Sequence, residues 1–131
     1  MKRYVSQGFI FWVILLAFSF AGFDVASAQK TKEKSLPIPE NINSLFQNSC
    51  MPCHGSKGGR FPTTRLNLSR WQGYGASKEA EKASLICSAV RKGTMPPKTA
   101  RESKPETALT KEQVDLICQW AESLKVYRRE K

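Results

Sequence analysis

Cys50-Met51-Pro52-Cys53-His54 is the stretch that decides how this chain is read. Two cysteines three positions apart stand about one turn apart on a helix. Their thiols can then reach the two vinyl groups on one edge of a porphyrin. His54 follows directly and is directed under the ring, where its imidazole can bind the iron. Cys-x-x-Cys-His is the attachment pattern of a c-type haem.

The N-terminus carries a matching export signal. Lys2 and Arg3 form a positive start, Phe9 to Phe20 is apolar apart from Ser19, and Ala26-Ser27-Ala28 fits the small-x-small cleavage rule. Residues 1–28 are therefore expected to be a signal peptide, with Gln29 as the mature N-terminus. The uncharged run from Gln7 to Phe23 is just short of a comfortable bilayer span. Membrane contact is expected only if this segment stays uncleaved. Either way the domain is expected to lie in the periplasm, where disulfides persist.

The chain carries a net charge of +10. Cleavage removes Lys2, Arg3 and Asp24 and leaves +9, and two haem propionates would lower this to about +7. The remaining length supports one small domain. Charge of this size suits acidic protein partners, against the plain alternative of a solvated basic surface. No motif that reads nucleic acid accompanies it, and export points away from nucleic acid.

Residues 29–38 hold Lys30, Lys32, Glu33 and Lys34 among few apolar residues and read as a flexible charged leader. Residues 39–126 form the expected domain and 127–131 a charged tail. Pro39 suits the start of a first helix, and Ile42, Leu45 and Phe46 follow at helical spacing. That helix would present Cys50 at its end. Gly55 to Gly75 reads as loop, with a short helical turn near Ser69 to Gln72. Its Phe61, Leu66, Leu68, Trp71 and Tyr74 offer apolar surface for wrapping a porphyrin or filling an ordinary core.

The spacing predicts a second helix over Ser77 to Lys92, capped by Ser77, with Leu85, Ile86, Ala89 and Val90 on one face and Gly93 at the C-terminal stop. A third runs from Thr110 to about Lys125. Thr110 and Gln113 form a capping box, and Val114, Ile117, Cys118, Ala121 and Leu124 make the stripe, with Trp120 just off it. No strand pattern stands out.

The iron's sixth position has few candidates. His54 is the one histidine, Met1 leaves with the signal peptide, and Met51 lies between the two cysteines. Met95 remains, in Gly93-Thr94-Met95-Pro96-Pro97, where two prolines hold the following chain extended. The plain alternative is a methionine that only fills space.

Cys-x-x-Cys-His-Gly after a first helix, Gly-x-Met-Pro-Pro after a middle helix, and a closing helix from Leu109 to Trp120 follow one another in this order. In this the chain resembles small single-haem cytochromes c. Leu66-Asn67-Leu68-Ser69-Arg70-Trp71 is similar to the Leu-Asn-x-Ser-x-Trp segment of bacterial periplasmic haem-binding domains. The resemblance spans roughly residues 40–125. It implies an all-α, cytochrome c-like fold: three main helices plus loops wrapped around one haem, the first and last helices crossing. It implies thioethers at Cys50 and Cys53, with His54 and Met95 as axial ligands. Pro62 is the candidate carbonyl that would steady His54.

Phe61, Trp71 and Tyr74 are expected to pack on the haem, with Arg65, Asn67 and Arg70 near its propionates. Lys57, Arg60 and Lys98 are expected to steer an acidic redox partner. Cys87 and Cys118, an even pair in an exported chain, are expected to form a disulfide, although ordinary cytochromes c lack it. Two buried free thiols are the alternative. A four-thiolate zinc site and thiol exchange through Cys50 and Cys53 leave His54 and Met95 without a purpose. The expected function is an electron carrier, or a subunit of an oxidoreductase, and not itself an enzyme. The alternative is a haem-based sensor or enzyme subunit whose sixth ligand is weak or open.

Overall fold

The computed structural model describes residues 34–129. The signal-peptide reading of residues 1–28 and the first part of the leader lie outside the described residues. Six α-helices and two 3-10 segments follow one another, with no strand among the described residues. The all-α expectation holds. Three helices are long: α1 (Glu40–Ser49), α4 (Ala76–Arg91) and α6 (Lys111–Arg129). Three are short: α2 (Met51–His54), α3 (Arg60–Arg65) and α5 (Lys98–Ser103).

The long helices form for reasons visible in their residues. Pro39 occupies the cap position of α1 and its carbonyl accepts from Asn43 N at 2.8 Å, while Ile42 and Phe46, one turn apart, are buried. Along α4 the buried positions are Ala76, Glu79, Ala80, Ala83, Ile86 and Val90, a helical stripe whose small residues let a neighbour approach closely. On α6 the capping box forms: Thr110 N donates to Gln113 Oε1 at 2.9 Å and Gln113 N to Thr110 Oγ1 at 3.3 Å.

The largest packed pair is α4 with α6. Ile86 and Val90 share a core with Ile117, Ala121 and Leu124. Where α1 meets α6, Phe46 stands edge-on to Trp120 with ring centroids 5.4 Å apart. Trp120 in turn lies 5.4 Å from Trp71. Burying each of these large side chains contributes about 2–3 kcal/mol before the ordering entropy is set against it. Cys87 and Cys118 are joined, their Cα atoms 4.9 Å apart, so the expected pairing is present and ties α4 to α6.

Several expectations need correction. The leader is docked from Ser35 onward: Trp71 Nε1 donates to Leu36 O at 3.2 Å, and Leu36 and Ile38 pack against the core. Gly55 to Gly75 contains α3 and a 3-10 segment, Leu68–Gly73, longer than the expected turn. Gly75, not Ser77, caps α4, because its φ of 79° lets the chain enter the helix from a left-handed conformation that side chains disfavour. Leu85 is 61% exposed and leaves the apolar face, whereas Trp120 is fully part of the core. Helix α6 runs on to Arg129, into the stretch read as a tail. A further helix, α5, and a 3-10 turn at Pro105–Thr107 were absent from the sequence reading. No helix among the described residues is long and apolar enough to cross a membrane.

Candidate functional site

The motif sits at a break between two helices. Cys50 closes α1, with its N–H donating to Phe46 O at 2.9 Å, and its φ of −120° turns the chain. The next turn is wound around Cys50 itself: its carbonyl accepts from Cys53 N at 3.2 Å and from His54 N at 2.8 Å. Pro52 falls in the first turn of α2, where its missing N–H has no cost. The two thiols are thus held one turn apart. Both are free, Cys50 half-buried and Cys53 exposed. Burial pushes the Cys50 thiol up to about 12, and the adjacent Cys53 adds to the shift.

That shift bears on the thiolate alternatives. The raised thiol makes Cys50 a poorer free nucleophile than an ordinary cysteine. Cys87 and Cys118 are committed to each other. Among the described residues no group of three or more His, Cys, Asp or Glu could hold a metal ion.

His54 is the best-defined part of the site. Its Nδ1 lies 3.2 Å from Pro62 O and 3.1 Å from Leu66 O. A carbonyl oxygen only accepts, so Nδ1 carries the proton and Nε2 keeps its lone pair for a metal. Helix α3 brings both acceptors into place: Pro62 lies within it and Leu66 ends it. The loop before α3 is pulled tight against the motif. A Cβ at Gly58 would lie 1.9 Å from Cys53 O, so only glycine permits this approach. Ser56 N donates to Ser69 Oγ at 2.9 Å and fastens the same loop to the 3-10 segment. Pro62 was named from the resemblance. Leu66 was missed, because a second main-chain acceptor has no side-chain signature.

Met95 lies on the loop after α4. Gly93, at φ 65°, follows the helix as expected. The loop then hangs on one atom, Ala89 O, which accepts from Thr94 N (3.0 Å), Thr94 Oγ1 (3.1 Å) and Met95 N (3.4 Å). Met95 itself is 41% exposed. Pro96, joined to it by a cis peptide bond, is buried and Pro97 is extended.

The proposed porphyrin-packing residues are placed differently from one another. Trp71 is buried and locked by its contacts to Trp120 and Leu36. Tyr74 stands edge-on to Trp71 at 6.1 Å, and its Oη accepts from Asn67 N at 2.8 Å. Lys82 Nζ sits 4.6 Å over the Tyr74 ring and donates to Arg65 O at 2.7 Å. Phe61 is 87% exposed on α3. Arg65 and Arg70 are exposed, and Asn67 Oδ1 is buried without a protein partner. Asn67, Arg70 and Tyr74 line a cavity of about 490 Å³ with Thr63 and Thr64.

One polar anchor went unread. Glu79 is fully buried and accepts from Ser35 Oγ and from Leu36 N, the latter at 3.0 Å. It stands in the first turn of α4, and nothing in its local sequence marks it as buried. The residues that satisfy it lie more than forty positions away.

One comparison with known proteins bears on haem binding. A family model described as a haem-binding domain matches residues 60–123, just under half of the chain. The matched stretch begins after His54, so it covers Pro62, Trp71, Met95 and Trp120 independently of the cysteine motif. No curated protein and no solved structure matches. Two free thiols in one helical turn and an imidazole with Nε2 available are groups that can bind a haem. The similarity over residues 60–123 supports a haem-binding protein.

Proposed function

We propose that this protein is an exported single-haem cytochrome c that transfers electrons in the periplasm. The observation that carries the reading is the fixed tautomer of His54, with Nδ1–H turned to Pro62 O and Leu66 O and Nε2 left to bind iron. When bound, the haem supplies a one-electron Fe(III)/Fe(II) couple. Cys50 and Cys53 hold it through thioethers. Met95 is the sixth ligand, and its thioether favours the reduced iron. The two carbonyls behind His54 raise the basicity of the imidazole and limit its rotation. Nothing in this role asks the chain to bind a substrate, so the protein acts as a carrier or as a subunit of an oxidoreductase.

The surface suits an acidic partner. Lys57 is exposed in the loop after the motif and Arg60 at the start of α3. Lys98, the third steering residue, shares its charge with Glu102 at 3.6 Å and contributes less. Electron-transfer rates with such a partner fall as salt rises.

The exposure of Met95 favours one second reading, a sensor or enzyme subunit in which the sixth ligand is weak. Absorption spectra of periplasmically expressed protein, oxidised and dithionite-reduced, separate the two. Sharp low-spin bands, with a weak far-red iron–thioether band lost in Met95→Ala, support the carrier. High-spin bands in the wild type support the sensor or enzyme. No haem absorption in cells with an active attachment machinery overturns both.

A further inference from the structure

The Cys87–Cys118 pair lies at the edge of the α4–α6 seam and not inside it. On one side are the apolar contacts of Ala83, Ile86 and Val90 with Ile117, Ala121 and Leu124. On the other side a cleft of about 300 Å³ opens, and both cysteines line it. Ser84 and Arg91 flank Cys87 at i−3 and i+4 on α4, and Glu122 and Lys125 follow Cys118 at i+4 and i+7 on α6. The cleft is mainly apolar, with Arg91, Glu122 and Lys125 among its lining, and its volume equals that of about ten liquid waters, enough for a small thiol. Cys87 is half-buried, whereas Cys118 is 5% exposed. The balance of charge is positive: Arg91 and Lys125 both act on the one carboxylate, Glu122, which Lys125 meets at 2.9 Å.

We propose that this disulfide is a thiol-exchange site, opened in the native state by a small dithiol that enters the cleft. One thiolate of the reductant attacks Sγ of Cys87, the more accessible sulfur. A mixed disulfide forms there, the Cys87–Cys118 bond breaks, and Cys118 leaves as a thiolate that takes up a proton. The second thiol of the reductant then attacks its own sulfur in the mixed disulfide and releases the Cys87 thiol. Two electrons and two protons pass to the protein, and the dithiol becomes a cyclic disulfide. Arg91 draws anionic thiols into the cleft and stabilises the charge that develops there. A structural disulfide sealed in a core would instead wait for unfolding before any thiol could reach it.

The test is the rate of reduction of the full-length protein by dithiothreitol, quenched by alkylation. Mass spectrometry of the peptides separates Cys87 and Cys118 from Cys50 and Cys53, so the result stands whether or not haem is attached. The expected rate is first order in dithiothreitol and unchanged by urea below the unfolding transition. A rate that saturates at the unfolding rate and climbs with urea overturns the proposal. The charge argument is tested with single thiols. Arg91→Glu should slow mixed-disulfide formation with 2-mercaptoethanesulfonate about three- to tenfold at low salt and leave the rate with neutral 2-mercaptoethanol unchanged. Equal slowing with both thiols overturns the role given to Arg91.

Discussion

Cys50 gives a prediction in which the haem-free and haem-bearing proteins behave oppositely. Its thiol is raised from 9.0 to about 12, mainly by burial against the core. In the unfolded chain the same thiol loses its proton near 9. Above that pH the unfolded state binds fewer protons than the folded one, so stability falls as pH rises. Below 9 both states are protonated and there is no effect. One pKa unit corresponds to about 1.4 kcal/mol, so the loss reaches about 3 kcal/mol by pH 11 and at most about 4 kcal/mol by pH 12. That is a large part of the stability of a small domain. The assay is urea unfolding between pH 8 and 11 of haem-free wild type and haem-free Cys50→Ser. Lysines and tyrosines titrate in both proteins and cancel in the difference. The wild type should lose the additional free energy, and the variant should not. Coincident curves would refute the burial of a protonated thiol. With haem attached through Cys50, as proposed, the thioether has no proton to lose, so the pH dependence should follow Cys50→Ser.

Three further outcomes follow from the geometry. Gly58→Ala places a carbon 1.9 Å from Cys53 O, which forces the loop off the motif; stability should drop by about 1–3 kcal/mol and haem loading severalfold, and wild-type loading would show that the close approach is dispensable. Glu79→Ala removes the acceptor of Ser35 and Leu36, so the Leu36 amide should lose its protection from hydrogen exchange and stability should fall by about 1–3 kcal/mol. The double variant Cys87→Ala/Cys118→Ala frees a loop with a sequence separation of 31 and should cost about 3–4 kcal/mol in urea unfolding. Its helical circular dichroism should persist, because the apolar α4–α6 seam remains; loss of that signal would mean that the disulfide organises the pair.

The parts legible from sequence share one property: they depend on near neighbours along the chain. The capping box of Thr110 and Gln113 needs residues three apart. The stripe of Val114, Ile117, Cys118, Ala121 and Leu124 needs only helical periodicity; the last four are buried and Val114 is half-buried. The motif cysteines sit one turn apart because each bond that makes the turn is local. Helix α3 was less legible, since Gly58, Gly59 and Pro62 punctuate its surroundings and its six residues bury none of their side chains. Packing of the preceding loop on the motif outweighs its weak propensity.

From sequence alone come the all-α class, the three long helices, the paired thiols, the single histidine and the candidate methionine, Met95. Each follows from residue type and short-range spacing. The tertiary structure alone decided that Leu66 joins Pro62 behind His54, that Glu79 clasps Ser35 and Leu36, that Phe61 and Leu85 are exposed while Trp120 is buried, and that the disulfide borders a cleft. A carbonyl acceptor has no side-chain signature, and the burial of a residue depends on elements far away in the chain. Those facts exist only once distant segments have packed, because packing determines which backbone atoms meet and which surfaces lose their water.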